Sequence, residues 1–239
     1  MYRILILSPA LLRGRDFSSR MAAMSSSASP IDHSTDEAVS CWSCSQRVHR
    51  GGLTCQGCSK LQPLSSNVDL YTLMGMGPPM RYDIDLAKLE AQYKRLQWLV
   101  HPDMAASRSE AERAYGAASA IKLNEAFSVL KSPLMRARYL LHQRGVGPEI
   151  EEATVGDAAF LGEVMEAREA VEEAAEDVAV LEGLLKDTQA RASGVIRDLS
   201  QAFDLGQGGV EMAGELTIKL TYLTRLEEEI RGKLPTCYQ

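Results

Sequence analysis

The fold is decided by the stretch DLAKLEAQYKRLQWLVHPD, which runs from Asp85 to Asp103. Its apolar side chains recur at helical spacing: Leu86, Leu89, Tyr93, Leu96 and Val100. This spacing predicts an amphipathic helix with one buried stripe. Asp85 is a residue type that caps helix N-termini, and Pro102 ends the helix because the residue before a proline is pushed out of the α region. The stretch therefore predicts a helix that ends in a rigid turn displaying His101 and Asp103.

Further helical patterns lie on both sides of this stretch. In the first part of the chain they cover Leu70 to Met74, about 110–131, and 134–143. After a Gly- and Pro-rich boundary at 145–148, no strand pattern appears, and helices are expected at about 155–182, 184–205 and 211–231. Three helices with short connections form an antiparallel bundle. The sequence therefore predicts a mainly α protein with two helical parts.

Four of the five cysteines form two close pairs, Cys41 with Cys44 and Cys55 with Cys58. Each pair can supply two thiolates from one tight turn, and two such pairs complete the tetrahedral sulfur site that zinc favours. Because four thiolates close the coordination shell, the predicted role is structural rather than catalytic. Spacing alone leaves iron, free thiols and disulfides open, and His49 is interpreted as a surface residue outside the ligand set.

Charge is distributed unevenly along the 239 residues, whose net charge is −6. Residues 1–30 hold four arginines against one aspartate and are rich in serine, which is typical of a mitochondrial presequence. A secretory signal is the competing interpretation, because residues 4–12 are mostly apolar. Residues 149–187 hold thirteen carboxylates, which disfavour contact with a nucleic-acid backbone. No apolar run is long enough to span a membrane.

Two blocks of the sequence resemble the HscB/Jac family of iron–sulfur cluster co-chaperones. The first block is YKRLQ at 93–97 with LVHPD at 99–103. The second is LNEAF at 123–127, followed by LKSPL at 130–134 and RARYLL at 136–141. Both are similar to the J-domain of that family, and the four-cysteine segment is similar to the module of its animal mitochondrial members. The resemblance covers residues 68–232.

Together with the basic N-terminal residues and the cysteine spacing, the resemblance predicts a domain organisation in four regions. A presequence and linker would occupy 1–40, a zinc module 41–60, a J-domain 68–145, and a C-terminal three-helix bundle 149–232. The expected fold is therefore mainly α, with a helical hairpin and a bundle preceded by a small zinc module. Trp42 and Trp98 are interpreted as packing residues.

The J-domain of this family stimulates ATP hydrolysis by a DnaK-type chaperone of the heat shock protein 70 family. The resemblance gives that role to His101, Pro102 and Asp103, with basic help from Lys94 and Arg95. Without the resemblance, the three-residue turn would be a helix stop and the two cations would be a solvated face.

The C-terminal bundle of the family holds an IscU-type iron–sulfur scaffold. The segment FLGEVMEARE at 160–169 matches the family's binding helix, and KLTYL at 219–223 matches its closing helix. The implied contacts are Leu161, Met165, Glu166, Glu169 and Tyr222. Leu161 and Met165 are four residues apart and share a helix face; their alternative role is bundle core. Gly162 departs from the family pattern, because a bulky apolar residue is expected there.

The predicted function is that of a co-chaperone that activates a partner's ATPase during iron–sulfur cluster transfer, acting in the mitochondrial matrix. A cytoplasmic pool in addition to the matrix one is compatible with the sequence. No phosphate loop, nucleophile elbow or open metal site accompanies these motifs, so an enzyme is not expected. No catalytic cofactor is expected. Nucleic acid and membranes are not expected as partners. The competing functions are a J-domain protein for other clients and a zinc-module adaptor for protein or nucleic acid.

Overall fold

The computed structural model describes residues 39–49, 51–65, 67–101, 103, 108–147, 156–175 and 177–235. In this part of the chain, two short strands precede seven α-helices. The strands are β1 (Val39–Ser40) and β2 (Arg47–Val48), and the helices are α1 (Leu70–Leu73), α2 (Leu86–Val100), α3 (Glu110–Lys131), α4 (Pro133–Gln143), α5 (Ala158–Glu173), α6 (Val178–Asp204) and α7 (Val210–Lys233). The predicted presequence and Pro102 lie outside the described residues. No helix among the described residues has both the length and the apolar character needed to cross a membrane.

The first long helices begin at side chains that satisfy free backbone N–H groups. The Asp85 carboxylate accepts a hydrogen bond from the Lys88 amide at 3.0 Å at the start of α2. Ser132 caps α4, with Pro133 at its first position. Pro133 fits there because its missing N–H would have had no partner within the helix. The predicted positions of α2, α3 and α4 are therefore confirmed to within one residue.

Helices α2 and α3 form an antiparallel pair. Glu90 of α2 forms an ion pair with Lys131 of α3 at 3.3 Å. Three residues later on α2, Tyr93 stacks on Phe127, which comes four residues earlier on α3, with ring centroids 4.1 Å apart. Asn124 Oδ1 accepts hydrogen bonds from the Tyr93 hydroxyl and from the Gln97 amide. Leu89, Leu96 and Val100 of the predicted stripe are buried on α2, and Leu123, Ala126 and Leu130 are buried on α3. Leu86 was predicted to belong to this stripe, but it is 45% exposed at the start of α2.

The C-terminal helices form the predicted bundle, but the first boundary between them was wrong. The break falls after Glu173, not at Gly183, which lies inside α6. Asp177 decides the position, because its carboxylate accepts hydrogen bonds from the amides of Ala179 and Val180 and so starts a new helix. Gly183 is tolerated inside α6 because it lies at the surface. The bundle core combines residues from all three helices: Val171, Leu181, Leu226, Ile230 and Leu234.

Helix α4 and the segment after it join the helical hairpin to the bundle. Arg138 donates to the Thr221 hydroxyl at 3.2 Å, and Arg144 donates to the carbonyl oxygen of Phe203 at 3.0 Å. The Phe203 ring also stacks on Tyr82, with ring centroids 5.1 Å apart. Burial raises the pKa of Tyr82 to about 12, so its hydroxyl stays neutral in this contact. These contacts place the hairpin and the bundle in one compact unit.

Gly209 at the turn between α6 and α7 provides a test of this packing. A Cβ atom at Gly209 would overlap the carbonyl oxygen of Ala202, whereas a Cβ at Gly208 would meet open space. We therefore expect Gly209→Ala to lower the free energy of unfolding by about 1–3 kcal/mol, the usual cost of forcing atoms into a packed site. Gly208→Ala is the matched control and should leave the thermal unfolding midpoint nearly unchanged. Equal midpoints for the two variants would contradict the close approach of α6 to the turn.

Candidate metal centre and protein-binding surfaces

The two cysteine pairs occupy equivalent turns in two small hairpins. Cys41 and Cys44 lie in the turn between β1 and β2, and the Cys55 pair lies in a turn closed by the bridge between Thr54 and Leu61. The amides of Ser45 and Ser59 donate to the carbonyls of Cys41 and Cys55 at 3.0 and 2.8 Å. Both serines adopt left-handed backbone angles, with φ of 62° and 57°. The matching geometry turns both thiol pairs toward one point.

The four sulfur atoms lie at the separations that a tetrahedral ion requires. All four are within 4.8 Å of one another, and the pairs Cys41–Cys58 and Cys44–Cys55 are each 3.6 Å apart. A zinc–sulfur bond of about 2.3 Å in a tetrahedron implies sulfur atoms about 3.8 Å apart. The donor set therefore fits one ion held by four thiolates. His49 is not part of this cluster.

The surroundings of two of these thiols favour the thiolate form that binds metal. Burial acts to raise the pKa of Cys41, but hydrogen bonds from the backbone amides of Cys44 and Ser43 outweigh it and lower the pKa to about 6. The amide of Cys58 lowers the pKa of Cys55 in the same way. The Gln46 amide acts to lower the pKa of Cys44, but burial and hydrogen bonds with the other cysteines outweigh it and raise the pKa to about 12. The backbone amides therefore favour the thiolate, the form that binds metal, at Cys41 and Cys55.

Removing one ligand tests the metal centre. We expect Cys55→Ser to reduce the bound zinc from one ion per chain to a small fraction, because one of four sulfur ligands is lost. Metal analysis by inductively coupled plasma mass spectrometry, after dialysis against a weak chelator, measures the change. Cys237→Ser is the control, since Cys237 stands apart from both pairs in the sequence. Full zinc retention by Cys55→Ser would exclude a four-cysteine site.

The end of α2 displays the side chains singled out by the sequence. His101 ends the helix, and its backbone N–H points to the Trp98 carbonyl oxygen at 3.4 Å. The Asp103 amide donates to His101 Nδ1 at 3.2 Å, and the Asp103 carboxylate lies 3.5 Å from the same nitrogen. Lys94 and Arg95 are exposed on the preceding helix. The tip therefore combines an imidazole, a carboxylate and nearby cations in reach of a partner.

The structure corrects the prediction for Trp98, near this tip, and modifies that for Trp42, in the first cysteine turn. Trp98 was expected to pack inside the protein, yet 62% of its surface is exposed. It lies four residues after Lys94, and both are on the solvent side of α2, opposite the stripe that faces α3. Trp42 is 41% exposed, but its indole N–H donates to the Leu61 carbonyl at 2.7 Å and its ring meets Tyr115 edge to face.

Helix α5 presents a partly exposed apolar stripe beside α7. Val164 and Val171 are buried under the helix, whereas Met165 is 63% exposed. Leu161 is half-buried, and Glu166 and Glu169 are exposed. The alternative prediction that Met165 belongs to the bundle core is therefore wrong. A Cβ at Gly162 would meet no atom within 4 Å, so this glycine leaves the surface beside Leu161 open.

Aromatic and charged side chains from α5 and α7 border the stripe. The Phe160 ring meets Tyr222 edge to face, with centroids 6.2 Å apart, and Lys219 Nζ lies 5.4 Å from the Phe160 centroid. Lys219 also forms an ion pair with Asp157 at 2.8 Å. Sequence reasoning selected Tyr222 but missed Phe160, Asp157 and Lys219 as a unit. The available signal was Asp157 three residues before Phe160, the spacing of a helix cap.

Asp157 provides a pH-dependent test of this border. Its hydrogen bond from Lys219, followed by that from the Phe160 amide, lowers its pKa below the ordinary value of 3.8. A carboxylate with a lowered folded-state pKa stabilises the protein above its unfolded pKa, and this contribution is lost as the pH falls through the folded-state value. We expect Lys219→Met to raise the titration midpoint of Asp157, measured by NMR of its carboxyl carbon. Lys233→Met, at the end of α7, should leave that midpoint unchanged.

Comparison with known proteins identifies the family of this chain. Residues 156–231 match the family described as the HSCB C-terminal oligomerisation domain. The chain is 33% identical over 199 residues to the iron–sulfur cluster co-chaperone protein HscB of Mus musculus, covering 81% of this chain and 82% of the relative. The HscB homolog of Arabidopsis thaliana is 32% identical over 84% of this chain and 76% of its own length. The chain belongs to the HscB family of iron–sulfur cluster co-chaperones.

A solved structure of the family shows the same architecture. The crystal structure of the human co-chaperone protein HscB is 32% identical in sequence and superposes with a TM-score of 0.71, covering 82% of this chain and 98% of the human one. The HscB relationship confirms the predicted fold class: a helical hairpin, a C-terminal bundle and a cluster of four cysteines. It also identifies the chain as a co-chaperone in iron–sulfur cluster assembly.

Proposed function

We propose that this co-chaperone couples an IscU-type iron–sulfur scaffold to a DnaK-type chaperone and stimulates that chaperone's ATPase. The observation that carries the proposal is the presence of two separate exposed surfaces on one chain. The first is the tip formed by His101 and Asp103, and the second is the stripe around Met165. The HscB family membership supports the assignment of the chaperone to the first surface and the scaffold to the second.

In the proposed mechanism, the bundle binds the scaffold while it carries its cluster as cargo. Leu161, Met165 and Tyr222 supply apolar contact, and Glu166 and Glu169 supply a charged rim. An apolar centre with a polar rim is the usual anatomy of a protein interface. The tip then contacts the chaperone, with Lys94 and Arg95 facing acidic groups, and ATP hydrolysis closes the chaperone on the scaffold.

Having both surfaces on one chain has a thermodynamic consequence. Once the scaffold is bound, its encounter with the chaperone becomes intramolecular, which raises its effective concentration at the chaperone. The contacts of Arg138 and Arg144 with the bundle limit the freedom of the tip relative to the stripe. Scaffold and co-chaperone together should therefore stimulate the ATPase by more than the sum of their separate effects.

The other parts of the assignment rest on the sequence and the sulfur geometry. Zinc is the proposed ion of the four-cysteine cluster, where it would hold the two turns together and supply no reaction chemistry. The Arg- and Ser-rich residues 1–30 support import into the mitochondrial matrix as the proposed location.

Single-turnover ATP hydrolysis by the mitochondrial DnaK-type chaperone tests the tip. We expect His101→Gln to abolish stimulation, because a glutamine cannot reproduce the imidazole that pairs with the Asp103 amide and carboxylate. His142→Gln, on α4, is the matched control and should stimulate like the unchanged chain. Stimulation without scaffold dependence would indicate a J-domain protein for another client, and undiminished stimulation by His101→Gln would contradict the proposal.

Scaffold binding is tested separately with two exposed methionines. Met165→Ala should weaken binding about tenfold, the effect of losing a side chain worth about 1.4 kcal/mol at the centre of an interface. Met212→Ala is the control, because Met212 is 51% exposed on the bundle but lies ten residues before Tyr222 on α7. Isothermal titration calorimetry with the purified scaffold gives both dissociation constants. Equal losses for the two variants would move the binding site away from the stripe.

A further inference from the structure

Glu112 is a buried carboxylate that joins two parts of the chain far apart in sequence. In the first turn of α3 it forms a capping box with Ser109, accepting from the Ser109 amide and hydroxyl at 3.2 and 3.0 Å. Its other oxygen accepts a hydrogen bond from the Leu61 amide at 3.4 Å. Leu61 is 51 positions earlier, immediately after the second cysteine turn. One side chain therefore caps α3 and ties it to the cysteine module, residues 39–62.

The segment that reaches Glu112 is fixed by the cysteine turns themselves. The Leu61 carbonyl accepts a hydrogen bond from the Trp42 indole, which lies in the first turn. The side-chain amide of Gln62 donates to Cys41 Sγ at 3.3 Å. The Cys55 amide donates to the carbonyl of Lys60 at 3.0 Å. The position of Leu61 therefore depends on both turns being held together.

Apolar packing accompanies the hydrogen bond. Leu61 is 1% exposed, and its Cδ1 lies against Gly116, where an added Cβ would be 3.4 Å away. The Trp42 ring meets Tyr115 at 6.0 Å between centroids. Gly116 and Tyr115 lie one turn after Glu112 on α3. The cysteine module thus covers the first two turns of the helix.

The contact between the cysteine module and α3 lies close to the tip at His101 and Asp103. Ser109, the cap of α3, follows Asp103 by six positions, so the start of α3 is one anchor of the segment that displays the tip. The other anchor is the end of α2 at His101. The same part of α3 packs on the end of α2, because a Cβ at Gly116 would lie 3.6 Å from the carbonyl oxygen of Val100, the residue before His101. Freedom at the start of α3 would therefore be transmitted to His101 through this contact.

We propose that the metal ion of the cysteine module acts through Leu61 and Glu112 to hold the start of α3, and so tunes the affinity of the tip for the chaperone. Glu112 is a positioning residue in this scheme. The proposal rests on the proposed function of the tip. It assigns an internal docking surface on α3, made of Glu112, Tyr115 and Gly116, to the module's Trp42 and Leu61.

The size of the module explains why the ion controls the contact. The buried cluster inside it consists of Cys41, Val48 and Cys55, with Cys58 packed alongside, and β1 and β2 are two residues each. Such a small core cannot offset the entropy of ordering the segment without a cross-link. Metal binding is then folding free energy for the module. Loss of the ion should release Leu61 and Trp42 from α3 and leave Glu112 bonded to Ser109 alone.

The test combines zinc removal with the substitution Glu112→Gln in the full chain. Zinc removal should accelerate hydrogen exchange of the amides from Arg113 to Gly116 about fivefold, the size of a weakened helix cap. It should also raise the half-saturating concentration for ATPase stimulation by a similar factor and leave the maximal rate unchanged. In Glu112→Gln, the exchange rate of these amides and the half-saturating concentration should already be raised with zinc bound. Zinc removal should then add little to either, because coupled changes are not additive.

Glu110→Gln is the matched control, because Glu110 is also an acidic residue in the first turn of α3 but is exposed. Glu110→Gln should respond to zinc removal like the unchanged chain. Reloading zinc should restore the exchange rate and the half-saturating concentration in both proteins. Additive effects in Glu112→Gln, or the same behaviour in both variants, would overturn the proposal. Scaffold binding, measured in parallel, should not change with zinc. If the chain fails to stimulate the ATPase at all, the proposed function fails, and hydrogen exchange still decides whether the ion holds α3.

Discussion

The pairing of α2 with α3 is the constraint on which the functional arrangement depends. Tyr93 stacks on Phe127, and Asn124 accepts hydrogen bonds from both Tyr93 and Gln97 across the pair. Aromatic stacking contributes contact area, and the directional hydrogen bonds fix the register of one helix against the other. Because the two helices are held in this register, the end of α2 at His101 has a fixed position relative to α3. His101 and Asp103 are displayed there as a consequence.

The junction between the hairpin and the bundle fixes the relative position of the two surfaces that we propose bind partners. The guanidinium groups of Arg138 and Arg144 reach across to Thr221 and Phe203, and the Phe203 ring also stacks on Tyr82. Arginine suits such a contact because its planar group donates in several directions and also packs on aromatic rings. A loose tether would bring the partners together without orienting them. Contacts of this kind give the proposed scaffold surface a defined position relative to the tip.

The cysteine module solves a problem of size by chemistry. Its strands and buried cluster are too small to order the segment, and four thiolates around one ion would replace the missing core. The same ordering places Leu61 and Trp42 on α3, where the Glu112 carboxylate accepts a hydrogen bond from the Leu61 amide. Burial acts against ionisation of Glu112, but the hydrogen bonds from Ser109 and Leu61 and the charge of Lys60 outweigh it and lower its pKa. A charged acceptor in this position strengthens the cap and the docking contact together.

Local chemistry in the sequence determined the helices, the turn at His101 and the cysteine pairs, because caps, prolines and ligand spacing act over a few residues. Asp85, Ser132 and Pro133 set helix ends that needed no tertiary information. The same logic failed at Gly183, since a glycine on an exposed helix surface does not break a helix that Asp177 has already started. Only the tertiary structure decided that Met165 and Trp98 face solvent, that Phe160, Lys219 and Tyr222 meet, and that Leu61 reaches Glu112. These outcomes depend on which faces of distant segments pack together. Helical periodicity identifies the apolar face of one helix but not the segment that packs against it.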